Sequence, residues 1–178
     1  MCSSRTTVLV VILLALAGCG DNLMPSGEDR RLRVEAGSTG SAVGQKAADF
    51  LLPDTTGTTL SLTSALTGKK AAVFYFTMWC PICDSHMSHL RTNIMPAFPG
   101  SSFFLVDYVS GSAVNAAASA SASGYSGMVT LADTGHTLLS SFQATMGTTV
   151  VVDNGGIIRM NEDYRDGSRL QAVLTALP

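Results

Sequence analysis

The chain has 178 residues, which is enough for one domain of ordinary size. Its 11 basic and 13 acidic residues nearly balance and form no basic patch, so the sequence excludes the positively charged surface of a nucleic-acid-binding protein. The net charge of −2 indicates no particular class of partner.

The N-terminal segment is typical of a secretory signal peptide. Arg5 supplies the positive charge, and residues 8–16 (VLVVILLAL) form an apolar run that is shorter than the roughly 20 residues of a membrane-spanning helix. The run ends in LAGC, and small residues before Cys19 resemble the bacterial lipobox, in which cleavage precedes the cysteine and its thiol is acylated. An ordinary cleavage site and an uncleaved anchor helix are the alternatives.

The lipobox interpretation predicts a lipoprotein anchored through Cys19 on the extracytoplasmic side of a membrane, which is the periplasmic side in a Gram-negative cell. Cys2 would be removed with the signal peptide, which leaves Cys80 and Cys83 as the free thiols in a compartment where disulfides persist. We expect a signal peptide at residues 1–18, a polar, flexible tether at residues 19–42 and a folded domain at residues 43–178.

The folded domain alternates strand and helix signals separated by Gly, Pro and Asn. Ala71–Thr77 is fully apolar, as expected for a central strand of a parallel or mixed sheet, and the residues at 153–156 (DNGG) indicate a tight turn between two strands. In chain order we predict a hairpin around Asp54–Gly57, a helical turn at Ser64–Leu66, strand Ala71–Thr77, helix Asp84–Met95 ended by Pro96 and Pro99, strand Ser102–Val109, an Ala/Ser-rich helix at Ser112–Ser123, strand Val129–Ala132, helix His136–Gln143, strands Thr148–Val152 and Ile157–Met160, and helix Asp166–Leu177.

Cys80 and Cys83 stand between the apolar strand and the following helix, with Pro81 after the first cysteine. Residues i and i+3 of a helical turn have Cβ atoms about 5–6 Å apart, and a disulfide needs about 3.5–4.5 Å, so a small adjustment opens or closes the bond. The helix N-terminus also stabilises a thiolate. This pattern favours a redox-active dithiol. Half of a zinc site, which would need a second pair of ligands, and a purely structural disulfide are the alternatives.

Short sequence motifs on both sides of the two cysteines occur in a fixed order along the predicted domain. Together with the element order, they resemble the TlpA/ResA-like (redoxin) branch of the thioredoxin superfamily. The motifs are Val43-Gly44, Asp49-Phe50, Leu52-Pro53-Asp54, Gly68-Lys69, Trp79-Cys80-Pro81-Ile82-Cys83 and Thr148-Thr149-Val150-Val151-Val152-Asp153.

The resemblance implies an α/β, thioredoxin-like fold with a central mixed β-sheet flanked by helices. It also implies a thiol–disulfide oxidoreductase that acts on protein thiols or disulfides, such as those of an apocytochrome or a copper-site protein. No cofactor is implied, because the dithiol itself carries both electrons. We expect a monomer.

The resemblance also assigns roles around the dithiol. Cys80 would attack as the nucleophile, and Cys83 would resolve the mixed disulfide. Pro81 would fix the first helical turn. Trp79 either shields the dithiol and contacts substrate or packs in the core.

Three positions depart from the family pattern. Gly147, preceded by Met146, stands where the family places a cis-proline; a non-proline cis bond costs about 2.5–4 kcal/mol, so we expect a trans bond. His86 stands where relatives often have an acid, and it either stabilises a nearby thiolate when protonated or faces solvent. Phe74 stands where thioredoxins carry a buried acid.

These departures allow a second function. Cys80 and Cys83 with Met146 or a histidine offer the soft ligands that Cu(I) prefers, and SCO-type copper-delivery proteins share the fold, although they typically place three residues between their cysteines. A peroxidase is disfavoured, because Thr77 does not have the spacing to the cysteine that peroxiredoxins require.

Overall fold

The computed structural model describes residues 34–178. The predicted signal peptide, Cys19 and the first part of the predicted tether lie outside the described residues. The helices and strands are β1 (Leu51–Pro53), β2 (Thr59–Ser61), α1 (Leu62–Leu66), β3 (Ala71–Thr77), α2 (Pro81–His89), β4 (Ser101–Asp107), α3 (Ala113–Ala122), β5 (Val129–Ala132), α4 (Thr137–Ser141), β6 (Thr148–Asp153), β7 (Ile158–Asp163) and α5 (Ser168–Thr175).

Five strands form one mixed sheet in the order β5-β4-β3-β6-β7. The strand β3 lies at its centre, pairing in parallel with β4 and antiparallel with β6. The parallel strands β3, β4 and β5 therefore end at the same edge of the sheet. The short strands β1 and β2 form the separate hairpin predicted around Asp54–Gly57. The predicted α/β fold with a mixed central sheet is confirmed.

The alternating side chains of β3 enter two separate cores. Phe74 and Phe76 point to the face covered by α1 and α4. Val73 and Tyr75 point to the opposite face, where Cys83 of α2 and residues of α5 cover them. All seven residues of β3 are buried, which is why this strand lacks any polar–apolar alternation.

The helix that follows β3 differs from the prediction at both ends. It begins at Pro81, with Cys80 as its N-cap. Proline is tolerated at the first helical position, because an N–H there would have no partner within the helix. It then continues through a π-helical turn, Leu90–Ile94, into the short helix Met95–Ala97. Pro96 therefore does not end the helix at once; a wider turn precedes it, as is common where the regular helical hydrogen bonds are interrupted.

The other predicted elements are present with ends shifted by a few residues. In the Ala/Ser-rich helix α3, Ala116 and Ala120 are buried, so small residues form its packing face. At α5, Asp166 accepts hydrogen bonds from the backbone and hydroxyl of Ser168, so the carboxylate caps the first turn from outside the helix.

The chain already contacts the fold before residue 43. Thr39 pairs with Lys46 in an isolated bridge, and the carbonyl of Ser41 accepts a hydrogen bond from Asn161. Among residues 34–178, no helix combines the length and the hydrophobicity needed to span a membrane.

Replacing Phe74 tests the core on the face covered by α1 and α4. Its ring packs against Phe50, Phe104 and Phe142, and its side chain is fully buried. We expect Phe74→Ala to lower the free energy of unfolding by about 3–5 kcal/mol in denaturant titrations, because it leaves a cavity. Val114→Ala, at a side chain that is 78% exposed, is the control and should leave stability nearly unchanged.

Candidate redox site

A disulfide joins Cys80 and Cys83 at the edge of the sheet where β3 ends. Their Cα atoms are 5.0 Å apart. Cys80 is half-buried, whereas Cys83 lies in the core with no exposed surface. The backbone N–H of Cys83 donates to Cys80 Sγ at 3.2 Å. The outer sulfur therefore sits at the N-terminus of α2, where an N–H and the helix dipole both favour a thiolate.

Trp79, the single tryptophan of the chain, is held beside the dithiol by a buried acid. Its indole Nε1–H donates to Asp107 Oδ2 at 2.7 Å, and its backbone N–H donates to Thr77 Oγ1 at 3.0 Å. Its backbone is left-handed, with φ of 60°, which is rare for a residue with a side chain. Asp107 also accepts from Val109 and Ser110, so the carboxylate is fully occupied. Trp79 is half-buried and packs against the core that contains Tyr75 and Cys83.

The loop before β6 brings Met146 and Gly147 to the dithiol. Met146 Sδ lies 3.3 Å from Cys80 Sγ. Gly147 donates its N–H to the carbonyl of Phe76, and its own carbonyl accepts from Tyr164 N–H. No peptide bond among residues 34–178 is cis, which confirms the trans bond expected at Gly147. Its φ of 81° is a conformation that glycine adopts readily and proline cannot.

His86 faces the protein rather than open solvent. Its Nδ1 is 3.0 Å from Tyr75 Oη, and its ring lies against that of Tyr164 with centroids 4.9 Å apart. Burial lowers the pKa of His86, although the charge of Asp163 opposes the shift. The protonated imidazolium, which would stabilise a nearby thiolate, is therefore disfavoured at neutral pH. Burial also raises the pKa of Tyr75, so its hydroxyl keeps its proton and can donate to the neutral ring.

His89 forms a second pair of the same kind, with its Nδ1 2.7 Å from Tyr164 Oη. Burial raises the pKa of Tyr164 as well. The two histidines and two tyrosines form one cluster on the face that α2 covers, where both tyrosines share a core with Cys83. His136, by contrast, is exposed and lies beside the carbonyl of Tyr108, as a loop residue.

Three exposed apolar side chains belong to the segments next to the half-buried sulfur. Met78, Ile82 and Met146 are 44%, 51% and 39% exposed. Met78 lies in the loop before Cys80, Ile82 lies in the first turn of α2, and Met146, whose Sδ contacts Cys80 Sγ, lies in the loop before β6. We call these three side chains the apolar rim.

The described residues contain no group of three or more His, Cys, Asp or Glu side chains that could hold a metal ion. The thioether of Met146 is therefore the additional soft ligand that the structure brings to the cysteines, at 3.3 Å from Cys80 Sγ. The Nδ1 of His86 is hydrogen-bonded to the hydroxyl of Tyr75.

The predicted site residues thus lie together, from Trp79 to His86 and in the loop of Met146 and Gly147. Sequence reasoning missed Asp107, Tyr75 and Tyr164. Asp107 was detectable as an acid at the end of a buried strand that runs parallel to β3. A tyrosine inside the apolar run of β3 also indicated a buried hydroxyl that needs a partner.

The model of the AhpC/TSA family matches residues 43–161. The chain belongs to the AhpC/TSA family. The prediction of a redoxin-type thiol–disulfide oxidoreductase is confirmed at the level of this family. A search of curated proteins finds no match.

Solved structures similar to this AhpC/TSA protein have the thioredoxin-like fold. A thioredoxin-like protein from Aeropyrum pernix is 16% identical, with a TM-score of 0.60 over 72% of this chain and 89% of that one. Peroxidoxin BcpB from Mycobacterium tuberculosis is 22% identical, with a TM-score of 0.61 over 76% and 97%. A putative thiol:disulfide interchange protein DsbE from Chlorobium tepidum is 21% identical, with a TM-score of 0.61 over 76% and 96%.

Substitutions at Gly147 test its left-handed backbone in this AhpC/TSA protein. Gly147→Ala should destabilise the protein by about 1–2 kcal/mol, because a Cβ disfavours this φ. Gly147→Pro should cost at least about 1 kcal/mol more, since proline also removes the N–H bonded to Phe76. Denaturant titration measures both losses. Gly124→Ala, with φ of 78° and open space around it, is the matched control and should resemble Gly147→Ala. A more stable Gly147→Pro protein would contradict the observed loop conformation.

The half-buried His86 makes stability depend on pH. Because its pKa is lower in the folded state, the unfolded chain takes up the proton first, and stability should fall as pH decreases below about 6.5. We expect His86→Gln to reduce this fall between pH 8 and pH 5 in denaturant titrations. His136→Gln, at an exposed histidine, should keep the wild-type dependence. Equal slopes in all three proteins would refute burial of a neutral His86.

Proposed function

We propose that this protein is a TlpA/ResA-like lipoprotein that exchanges disulfides with protein partners on the extracytoplasmic side of a membrane. One observation carries the proposal: the Cys80–Cys83 disulfide has one sulfur half-exposed at a helix N-terminus and the other fully buried. A structural disulfide has no need of this asymmetry. A two-step exchange does, because an outside disulfide must reach one sulfur and leave the other for resolution.

The exchange needs only the two cysteines and the partner. The Cys80 thiolate attacks one sulfur of the partner's disulfide, the partner's S–S bond breaks, and its other sulfur leaves as a thiolate. The thiolate of Cys83 then attacks Cys80 Sγ in the mixed disulfide. The intramolecular disulfide forms, and the partner departs with both electrons as a dithiol. The reverse sequence oxidises a partner.

The apolar rim supports a protein substrate over a small charged thiol. Met78, Ile82 and Met146 present flexible or branched apolar side chains around Cys80, so burying them against an apolar segment is favourable. We propose protein thiols or disulfides as the substrate class, including those of apocytochromes and copper-site proteins. The reduction potential decides the direction: about −270 mV is typical of a reductant and about −120 mV of an oxidant.

Single cysteine substitutions test the exchange. Cys80→Ser should lower insulin reduction to the uncatalysed rate, because the attacking sulfur is lost. Cys83→Ser should also lose turnover but should accumulate a mixed disulfide through Cys80, visible as a covalent adduct on a non-reducing gel. Retained turnover in Cys80→Ser, or an adduct in that variant, would refute these roles.

The proposed location depends on Cys19, and a matched pair of cysteine substitutions tests it. In a bacterial host that processes lipoproteins, Cys19→Ser should abolish incorporation of labelled fatty acid and release the domain from the membrane fraction. Cys2→Ser should change neither, because that residue would leave with the signal peptide. Incorporation of labelled fatty acid into the Cys19→Ser protein would exclude Cys19 as the anchor.

Copper delivery is the second candidate, and the contact of Met146 with Cys80 favours it. The family match and the neighbouring structures give it no support. If reduced protein binds Cu(I) tightly, both Met146→Ala and Cys83→Ala should weaken the complex; an absence of binding at micromolar metal rules the candidate out.

A further inference from the structure

Met146 is unusual among the methionines of residues 34–178, because its sulfur contacts a cysteine sulfur. Met87, Met128 and Met160 are buried, Met95 is partly buried in the core, and Met78 is exposed without such a contact. Met146 is 39% exposed, so solvent reaches its side chain while its Sδ contacts Cys80 Sγ.

In the disulfide state, Cys80 has no proton to donate. The approach of Cys80 Sγ and Met146 Sδ to 3.3 Å is therefore a sulfur–sulfur contact. Reacting atoms in well-oriented sites lie about 3–3.5 Å apart, and this pair falls in that range before any substrate is bound. A group formed on Met146 Sδ would therefore lie within reach of the Cys80 thiolate once the disulfide is reduced.

We propose that Met146 is an oxidation site for peroxide-type oxidants and that the reduced dithiol repairs its sulfoxide within the same molecule. While Cys80 and Cys83 form the disulfide, neither is a thiolate, and the partly exposed Met146 carries a thioether that can still react. Hydrogen peroxide transfers one oxygen atom to Met146 Sδ and leaves as water. Met146 loses two electrons and becomes the sulfoxide.

Repair begins when a thiol reductant opens the disulfide. The Cys80 thiolate attacks Met146 Sδ; the oxygen passes to Cys80 Sγ as the bond between Sδ and oxygen breaks. Met146 regains two electrons, and Cys80 becomes a sulfenic acid. Cys83 then attacks Cys80 Sγ, the disulfide re-forms, and the oxygen leaves as water with the protons of the two thiols. The net reaction consumes one dithiol for each peroxide.

The repair rests on the proposed function in one respect: both require a Cys80–Cys83 pair that can be reduced. Different results would refute the two proposals. Insulin reduction without sulfoxide repair removes this inference and leaves the proposed function intact. Repair driven by dithiothreitol without insulin reduction removes the proposed exchange with proteins.

Peptide mass spectrometry tests the inference on the purified full-length chain. The disulfide form is treated with hydrogen peroxide, the peroxide is removed, and dithiothreitol is added. Met146 and Met78 should each gain one oxygen atom in the first step. After reduction, Met146 should lose at least about half of its sulfoxide, since a reductase site acts on one of the two sulfoxide epimers. The sulfoxide of Met78, which has similar exposure, should persist as the internal control.

Cys80→Ser separates repair by the dithiol from reduction by dithiothreitol itself. In this variant the Met146 sulfoxide should remain after the same treatment. Each of three results would overturn the inference: Met146 is not oxidised, its sulfoxide persists in the wild type as it does at Met78, or it is lost equally in Cys80→Ser.

Discussion

The redox site depends on the junction between β3 and α2. The strand is buried on both faces at the centre of the sheet, so its end is held firmly in place. The helix begins after a loop of three residues, with Cys80 as the N-cap and Pro81 in its first turn. One sulfur therefore lies at the positive end of a helix, while the other, one turn later, is drawn into the core by the same apolar contacts that hold α2 on the sheet. The different exposure of the two cysteines follows from this packing.

Long-range contacts then surround the junction and determine its chemical character. Asp107 lies at the end of a parallel neighbour of β3 and fixes the indole of Trp79. The loop before β6 supplies a thioether and a glycine backbone where the family resemblance had suggested proline. His86 lies next to Gly147, with 3.9 Å between its Nδ1 and the position that a Cβ would take. The left-handed glycine and the half-buried histidine thus belong to one local arrangement and are not two unrelated departures from the family.

The histidine illustrates how burial changes the chemistry assigned to a residue type. A histidine one turn after the second cysteine suggests a cation that stabilises a thiolate. Contact with two tyrosines disfavours that cation, because each ring excludes water from the imidazole. Within this cluster the neutral form of His86 is therefore favoured. Stabilisation of a thiolate is left to the helix N-terminus and its N–H groups.

The amino-acid sequence by itself determined the features that depend on neighbouring residues. The apolar run of β3, the Cys80-Pro81-Ile82-Cys83 turn, the hairpin turn at residues 153–156 and the order of strands and helices are local patterns, and they were sufficient to predict the fold and the dithiol. The tertiary structure alone decided which distant groups meet there. Trp79 and Asp107 are 28 residues apart, Cys80 and Met146 are 66 apart, and His89 and Tyr164 are 75 apart. No periodicity relates such positions, because their meeting depends on how the strands pair and how the helices pack on the sheet.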